Sequence, residues 1–192
     1  YLIKKLENKN IALVGNSKNL LLKKNLIDSY DIVIRINHLP NKKYYDKIGK
    51  RCDILMLTHG PMHLINRDFK KIWLEKENIY YSNFLNEKIY NYKDKWFEEL
   101  FKILKANPST GARSLHFLIK ILKNPKITLF GFSHESQAWY HSIKENWSNE
   151  QIKKVQNSSS ILNNPNGHDF EAEKKYFNSQ KLLIMDYTML KN

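Results

Sequence analysis

The sequence predicts an α/β fold: a single, Rossmann-like, three-layer α/β/α domain over residues 1–192, built on a mainly parallel twisted sheet. Three observations predict it. Short apolar runs at 11–14, 32–36, 53–57 and 127–130 recur along the chain, each of strand length and bounded by turn residues. The run at 53–57 has no polar alternation inside it, as expected of a strand buried on both faces of a parallel sheet. Between the runs lie stretches with apolar residues three and four apart, the spacing of one helix face.

Taken in order, residues 1–9 form a polar lead-in with the character of a frayed helix. The first strand, 11–14, ends at Gly15-Asn16. Between Ser17 and Ile27, Leu20, Leu21 and Lys24 suit one helical turn, and Asp28-Ser29-Tyr30-Asp31 is a turn cluster before the second strand, 32–36. Residues 42–50 are polar, with paired tyrosines, and end at Gly49. The third strand is 53–57. Residues 61–73 are expected to hold one or two short helices, and 79–81 a strand. In 96–104, Trp96, Phe97, Leu100, Phe101 and Leu104 recur at helical spacing and are expected to pack in the core.

Ser109 or Thr110 then starts a helix as N-cap, with Ala112, Leu115, Leu118, Ile119 and Leu122 on one face and Asn124-Pro125 as its stop. Residues 127–130 form a strand closed by Gly131-Phe132-Ser133. The loop from His134 to Asn149 carries two His, two Trp and one Tyr. Residues 157–167 are turn-rich. Residues 169–178 read as a helix and 182–185 as a last strand.

Length and composition exclude several classes. At 192 residues with 42% apolar content, the chain is long enough for a real core and too apolar for disorder. It opens on Tyr1 and is read as a piece of something longer. No apolar run approaches the ~18 residues of a membrane span, and the start shows no secretory signal pattern. The single cysteine, Cys52, rules out an internal disulfide and a cysteine-based zinc site. A reducing compartment is the default. With 32 Lys+Arg against 19 Asp+Glu, the net charge of +13 attracts polyanions: nucleic acid, an anionic membrane surface, or phosphorylated and acidic substrates. A plain solvated basic surface explains the same balance.

Candidate chemistry collects at turns. Asn16 and Asn37 each close an apolar strand. In an open α/β sheet such positions line the ligand crevice, and an amide reads a base or ribose with both donors and acceptors. Gly15-Asn16-Ser17 lacks the fuller glycine fingerprint of dinucleotide folds, so taken alone it is better explained as an ordinary turn. Ser109-Thr110-Gly111 at a helix start suits an anion such as phosphate or carboxylate, or serves only as a cap. His134 and His141 flank Trp139-Tyr140. His168 stands at the threshold of a helix, whose positive end disfavours imidazolium and leaves a neutral base near pH 7. Phe170, Glu173 and Phe177 share a helix face, which draws Glu173 toward the core and requires a hydrogen-bonded partner for it. No Asp-x-Asp pair follows a strand, and no His/Asp/Glu cluster has metal-ligand spacing.

These pieces, in this order, resemble the sialylmotifs of the glycosyltransferase family 29 sialyltransferases. The large motif is similar to Ile11-Ala-Leu-Val-Gly15-Asn16-Ser17 through Ile27-Asp-Ser, Arg35-Ile-Asn37 and Gly49. The small motif resembles Pro108-Ser109-Thr110-Gly111 with its helix and Leu129-Phe-Gly131-Phe132. The very small motif resembles His168-Asp-Phe-Glu-Ala-Glu173, and the third motif, loosely, Trp139-Tyr140-His141.

The resemblance implies a single-domain GT-A variant with a seven-stranded sheet. It implies inverting transfer from a CMP-activated sugar acid to a sugar hydroxyl, with no metal and no cofactor. It implies that Asn16, Ser17 and Asn37 hold the cytidine nucleotide, and that Ser109, Thr110, Gly111, Gly131 and Phe132 contact the donor. His168 would act as general base, His141 would bond the departing phosphate, and Gly15 and Glu173 would be structural, Glu173 supporting the His168 turn. The disulfide that joins the large and small motifs of the animal enzymes has no counterpart here, since those positions fall at about Ile11 and Asn124. Its absence fits a reducing, bacterial cytosolic setting.

The expected partners are a CMP-sugar donor, a glycan or glycolipid acceptor of the kind used in lipopolysaccharide or capsule assembly, and an anionic membrane surface. The expected location is cytoplasmic, peripheral at the inner membrane. Two other readings stay open. One is a transferase for Kdo or another nonulosonic acid. The other is a non-catalytic basic module for nucleic acid or acidic glycan, although the aromatic residues sit at core spacing and nucleic acid is not expected.

Overall fold

The computed structural model describes residues 2–37, 40, 42–57, 79–82, 94–134, 148, 150, 153, 162, 165, 167–180 and 183–185. It has six strands: β1 Asn10–Val14, β2 Ile32–Ile36, β3 Ile54–Leu57, β4 Ile79–Ser82, β5 Lys126–Phe130 and β6 Leu183–Met185. The described helices of one turn or more are α1 Leu2–Leu6, α2 Tyr45–Ile48, α3 Asp94–Leu104, α4 Thr110–Ile121 and α5 Phe170–Ser179.

The strands form one sheet in the order β4-β3-β2-β1-β5-β6. Every neighbouring pair is parallel except β3 with β4. The fold is therefore α/β with a mainly parallel sheet, as the apolar runs predict. The resemblance implied seven strands; six stand among the described residues. From β1 the chain builds outward through β2 and β3, then returns to β1's other side with β5. That reversal creates a switch point between β1 and β5, and in such sheets ligands bind outside the carboxyl ends of the strands there.

Both faces of the sheet are covered, because successive residues of a strand point to opposite sides. Ile11 and Leu13 of β1, Ile32, Ile34 and Ile36 of β2, and Ile127 and Leu129 of β5 pack with Leu100 and Leu104 of α3, with Leu115 and Leu118 of α4, and with Phe177 of α5. Ala12, Val14, Val33 and Phe130 point the other way, onto Leu20, Ile27 and Ile48. The second cover is irregular. The segment expected to hold one helical turn makes two short 3-10 turns, Lys18–Leu21 and Ile27–Ser29.

Arg35 of β2 faces this second side and is 1% exposed. Its guanidinium is kept by carbonyls: Nε donates to Arg51 O at 2.7 Å, and Nη2 to Ile48 O at 2.7 Å and Gly49 O at 3.3 Å. A buried charge needs such partners, so the polar residue inside an apolar strand ties the 48–51 turn to β2. Gly49 has φ +70, and a Cβ there would stand 2.3 Å from Asp28 Oδ1. Only glycine lets that turn close against Asp28.

One expectation of the core changes. Phe101 is 46% exposed, whereas Leu100 and Leu104 are buried. Residues four apart on a helix drift by about 40°, so the line Phe97-Phe101 runs off the buried stripe. The helices expected in 61–73 and the turns at 157–161 lie outside the described residues.

Candidate functional site

The site is built where β1 and β5 end together. Gly15 N–H donates to Phe130 O at 2.7 Å and Ser17 N–H to Gly131 O at 3.0 Å. A Cβ on Gly15 would lie 2.5 Å from Gly131 O, and one on Gly131, at φ +68, 2.7 Å from the Leu20 side chain. Two glycines therefore let the turns after β1 and β5 lie against each other. Ser17 is buried and caps the 3-10 turn, its Oγ accepting from Asn19 N–H at 3.2 Å.

Asn16 and Asn37 close neighbouring strands whose register pairs Val14 with Arg35; two further residues bring both amides to the same edge. Asn16 Nδ2 donates to Ile36 O at 2.9 Å, which fixes its amide beside Asn37. Asn37 turns the chain with φ +61, a conformation Asn tolerates better than most residues. Its N–H donates to Met56 O at 2.8 Å, and its side chain reaches across to α4, Nδ2 donating to Thr110 Oγ1 at 3.2 Å.

Ser109 is the N-cap of α4, its Oγ accepting from Ala112 N–H at 3.2 Å. The same residue engages α5. Its N–H donates to Glu173 Oε1 at 2.7 Å and its hydroxyl to Glu173 Oε2 at 2.7 Å. Glu173 thus holds the Ser109 turn: its described side-chain bonds go there, whereas the resemblance implied support of the His168 turn. Its carboxyl is pushed up to about 7 by burial, against which the Ser109 bonds and the Arg113 charge pull it down. Gly111 meets Phe132: a Cβ there would stand 2.7 Å from Phe132 Cε1. The ring after β5 therefore packs on the first turn of α4.

His168 stands before Asp169, the N-cap of α5, whose Oδ1 accepts from Ala172 N–H at 2.9 Å. Its Nδ1 is 2.7 Å from Asn107 O. A carbonyl oxygen only accepts, so Nδ1 carries the proton and the neutral ring keeps its lone pair on Nε2. The imidazole titrates below its ordinary value of 6.5, chiefly because it is buried; Arg113 adds to the effect and the Asn107 bond opposes it. Burial, more than the helix end, keeps it neutral.

Residues 107–110 are thus the hub. Asn107 holds His168, Ser109 holds Glu173, and Thr110 meets Asn37. Asn16 joins through the Ile36 carbonyl and makes no described bond to this segment.

One participant escaped the sequence reading. Arg113 is buried, with Nε donating to Pro108 O at 3.0 Å and Nη2 to Asn107 Oδ1 at 3.1 Å, its guanidinium 4.5 Å over the Phe97 ring. It braces the hub from within α4. Its position one turn into an amphipathic helix was the available signal, but a lysine-rich chain hides it. His134, which the sequence pairs with His141 beside aromatic residues as a pocket candidate, has φ +48 and sits edge-on to Phe177 at 4.6 Å. Burial, with the Lys174 charge, pushes it down to about 4, and its buried Nε2 has no hydrogen-bond partner among the described residues. His141, with Trp139 and Tyr140, lies outside the described residues. Among the described residues no group of three or more His, Cys, Asp or Glu is arranged to hold a metal ion, and no helix is long and apolar enough to cross a membrane.

Comparison with curated proteins and with solved structures found no match. A family model does match, over under half of the chain. It spans the large-motif stretch and β1 to β4, but not the hub or His168, and it supports glycosyl transfer of the sialyltransferase type. Residues 3–86 match glycosyltransferase family 29 (sialyltransferase), the family this chain resembles.

Proposed function

We propose that this chain transfers sialic acid from CMP-sialic acid to a hydroxyl of a glycan or glycolipid acceptor, by an inverting, metal-independent displacement. The observation that carries the reading is the hub: Asn107 sets the His168 tautomer three residues before Thr110 meets Asn37. A base and an amide edge are thereby referenced to one rigid segment.

In this reading Asn16, Ser17 and Asn37 hold the cytidine monophosphate, and Gly131 and Phe132 line its other side. Ser109 has its own N–H and hydroxyl committed to Glu173, so it positions Thr110 and Gly111, which contact the nucleotide and the sugar carboxylate. His168 Nε2 takes the acceptor proton as the acceptor oxygen bonds to the anomeric carbon. The bond from that carbon to the phosphate oxygen breaks with its electron pair, and CMP leaves. Configuration inverts because attack and departure occur on opposite faces. His141 bonds the departing phosphate. His168 then passes its proton to water. The chain works in the cytoplasm, peripheral to the inner membrane, where a glycolipid acceptor would reside.

The test is a melting screen against CMP, CDP, UMP and NAD, followed by CMP release from CMP-sialic acid and CMP-Kdo. A ligand at 100 times its dissociation constant stabilises by about 2.7 kcal/mol, so a shift with CMP alone is expected. Release from CMP-Kdo only moves the donor to another nonulosonic acid. Salt-sensitive oligonucleotide binding with no CMP shift overturns the enzyme reading.

A further inference from the structure

The cover on the second face of the sheet carries an unusual surface. Between Ser17 and Ile27 the chain is anchored inward by Leu20 and Ile27, both fully buried. Asn25 is also buried, and it organises the turn. Its Nδ2 donates to Leu20 O at 2.8 Å, to Lys23 O at 3.0 Å and to Lys47 O at 3.0 Å, and its N–H donates to Lys47 O at 3.0 Å. The turn is therefore fixed to α2 rather than free. Yet it holds Leu22 at 78% and Leu26 at 71% exposure. Lys18, Lys23 and Lys24 are exposed along the same turn, Lys42 and Lys43 on the approach to α2, and Tyr45 at its start. Residues 18–26 and 42–48 together carry six lysines and one acid, Asp46.

We propose that this surface, residues 18–26 with α2, docks the protein on an anionic lipid bilayer. Two leucines projecting singly among lysines match the layering of a membrane interface. Apolar side chains enter the acyl boundary while ammonium groups stay with the phosphates. A protein partner is the poorer fit, because the buried centre of a protein interface is contiguous and depleted in charge. Burial of leucine and attraction of lysine are two weak signals, and stable peripheral binding takes two. The turn begins at Ser17, beside Asn16, so the docked face adjoins the carboxyl edge of β1 and a glycolipid acceptor would be presented near the site. That last link rests on the transferase reading; the docking itself does not.

The experiment is flotation of the 192-residue chain with vesicles of equal parts phosphatidylglycerol and phosphatidylcholine, and with phosphatidylcholine alone. Binding is expected only with the anionic lipid, and should weaken as salt is raised. The Leu22→Ser/Leu26→Ser variant should lose it. Lys23→Gln/Lys24→Gln should lower it about tenfold or more. Both variants change exposed side chains, so their melting temperatures and any CMP shift should match the parent. Absence of flotation overturns the docking surface and leaves the transferase reading standing if CMP still shifts the melt. Flotation undiminished in the leucine variant also overturns it, as does a leucine variant that changes only self-association. Flotation with no CMP shift sinks the transferase reading alone.

Discussion

Both carboxylate oxygens of Glu173 are bonded to one residue, Ser109: one to its N–H and one to its hydroxyl, each at 2.7 Å. The pair locks the first turn of α5 onto the first turn of α4, across 64 residues of chain. Glu173→Ala should lower stability by about 1–3 kcal/mol, since the Ser109 donors lose their acceptor. Glu173→Gln keeps shape and one acceptor, so it should lose less. Urea unfolding of the three proteins gives the order, and equal midpoints for Glu173→Ala and the parent would refute the lock.

The pH dependence of the same group has a definite sign. The folded carboxyl is raised from 4.5 to about 7. Its contribution to stability is therefore full below pH 4.5 and fades as pH rises through about 7. His168 and His134 act oppositely: their folded values are lowered from 6.5, in His134 to about 4. Their contributions are full above pH 6.5 and fade as pH falls through the folded values. Replacing Glu173 with Gln removes the falling component. Between pH 4.5 and 7, stability of the variant should climb more steeply with pH than that of the parent. Parallel curves would show that the Ser109 bonds offset the burial.

For the proposed transfer with His168 as base, the acid limb of kcat/KM should lie below pH 6.5, where His168 becomes imidazolium. His168→Ala should lower kcat by roughly 10²–10⁴-fold and erase that limb while sparing the CMP melting shift. A folded variant with near-parental turnover would take His168 out of the mechanism.

Much of this was legible in the residues because the sheet is buried on both faces. The apolar runs of β1, β2, β3 and β5 have no competing reading of the same length, and Asn16 and Asn37 mark where they stop. Ser109 as a cap and Glu173 as a buried carboxylate in need of a partner were also readable. That each supplies the other's need was not, because nothing local links α4 to α5. Arg35 hid in an apolar strand, since its acceptors are main-chain carbonyls contributed by a later turn. Phe101 misled because helical spacing does not tell the centre of a buried stripe from its edge. The bracing by Arg113 depends on the path of 107–108 around it, which no periodicity encodes.

The glycines make a graded prediction. A methyl on Gly15 would meet the Gly131 carbonyl, main chain fixed by two strand ends, at 2.5 Å. A methyl on Gly111 would meet the edge of the Phe132 ring at 2.7 Å. A side-chain ring can turn aside where a strand end cannot. Gly15→Ala should cost about 1–3 kcal/mol, the usual range for overpacking, and Gly111→Ala less. Because Phe132 lines the proposed nucleotide side, Gly111→Ala should instead show its effect in a smaller CMP melting shift. Thermal melts with and without CMP measure both, and a reversed order of stability would refute the contact between the two turns.

Asn37 separates backbone from chemistry. It holds φ +61, so Asn37→Ala forces a side chain with no local hydrogen bonding into the left-handed region, at roughly 1–2 kcal/mol. Asn37→Gly accepts that backbone without strain but removes the amide that reaches Thr110. If the amide served only to join β2 to α4, the glycine variant would lose stability and bind CMP as the parent does. If it also grips the nucleotide, the glycine variant should show the same loss of stability and, in addition, a CMP dissociation constant raised about tenfold, the worth of one good hydrogen bond. Calorimetric titration of CMP into both variants distinguishes the outcomes. The ligand-binding role of Asn37 fails if the glycine variant binds CMP with undiminished affinity.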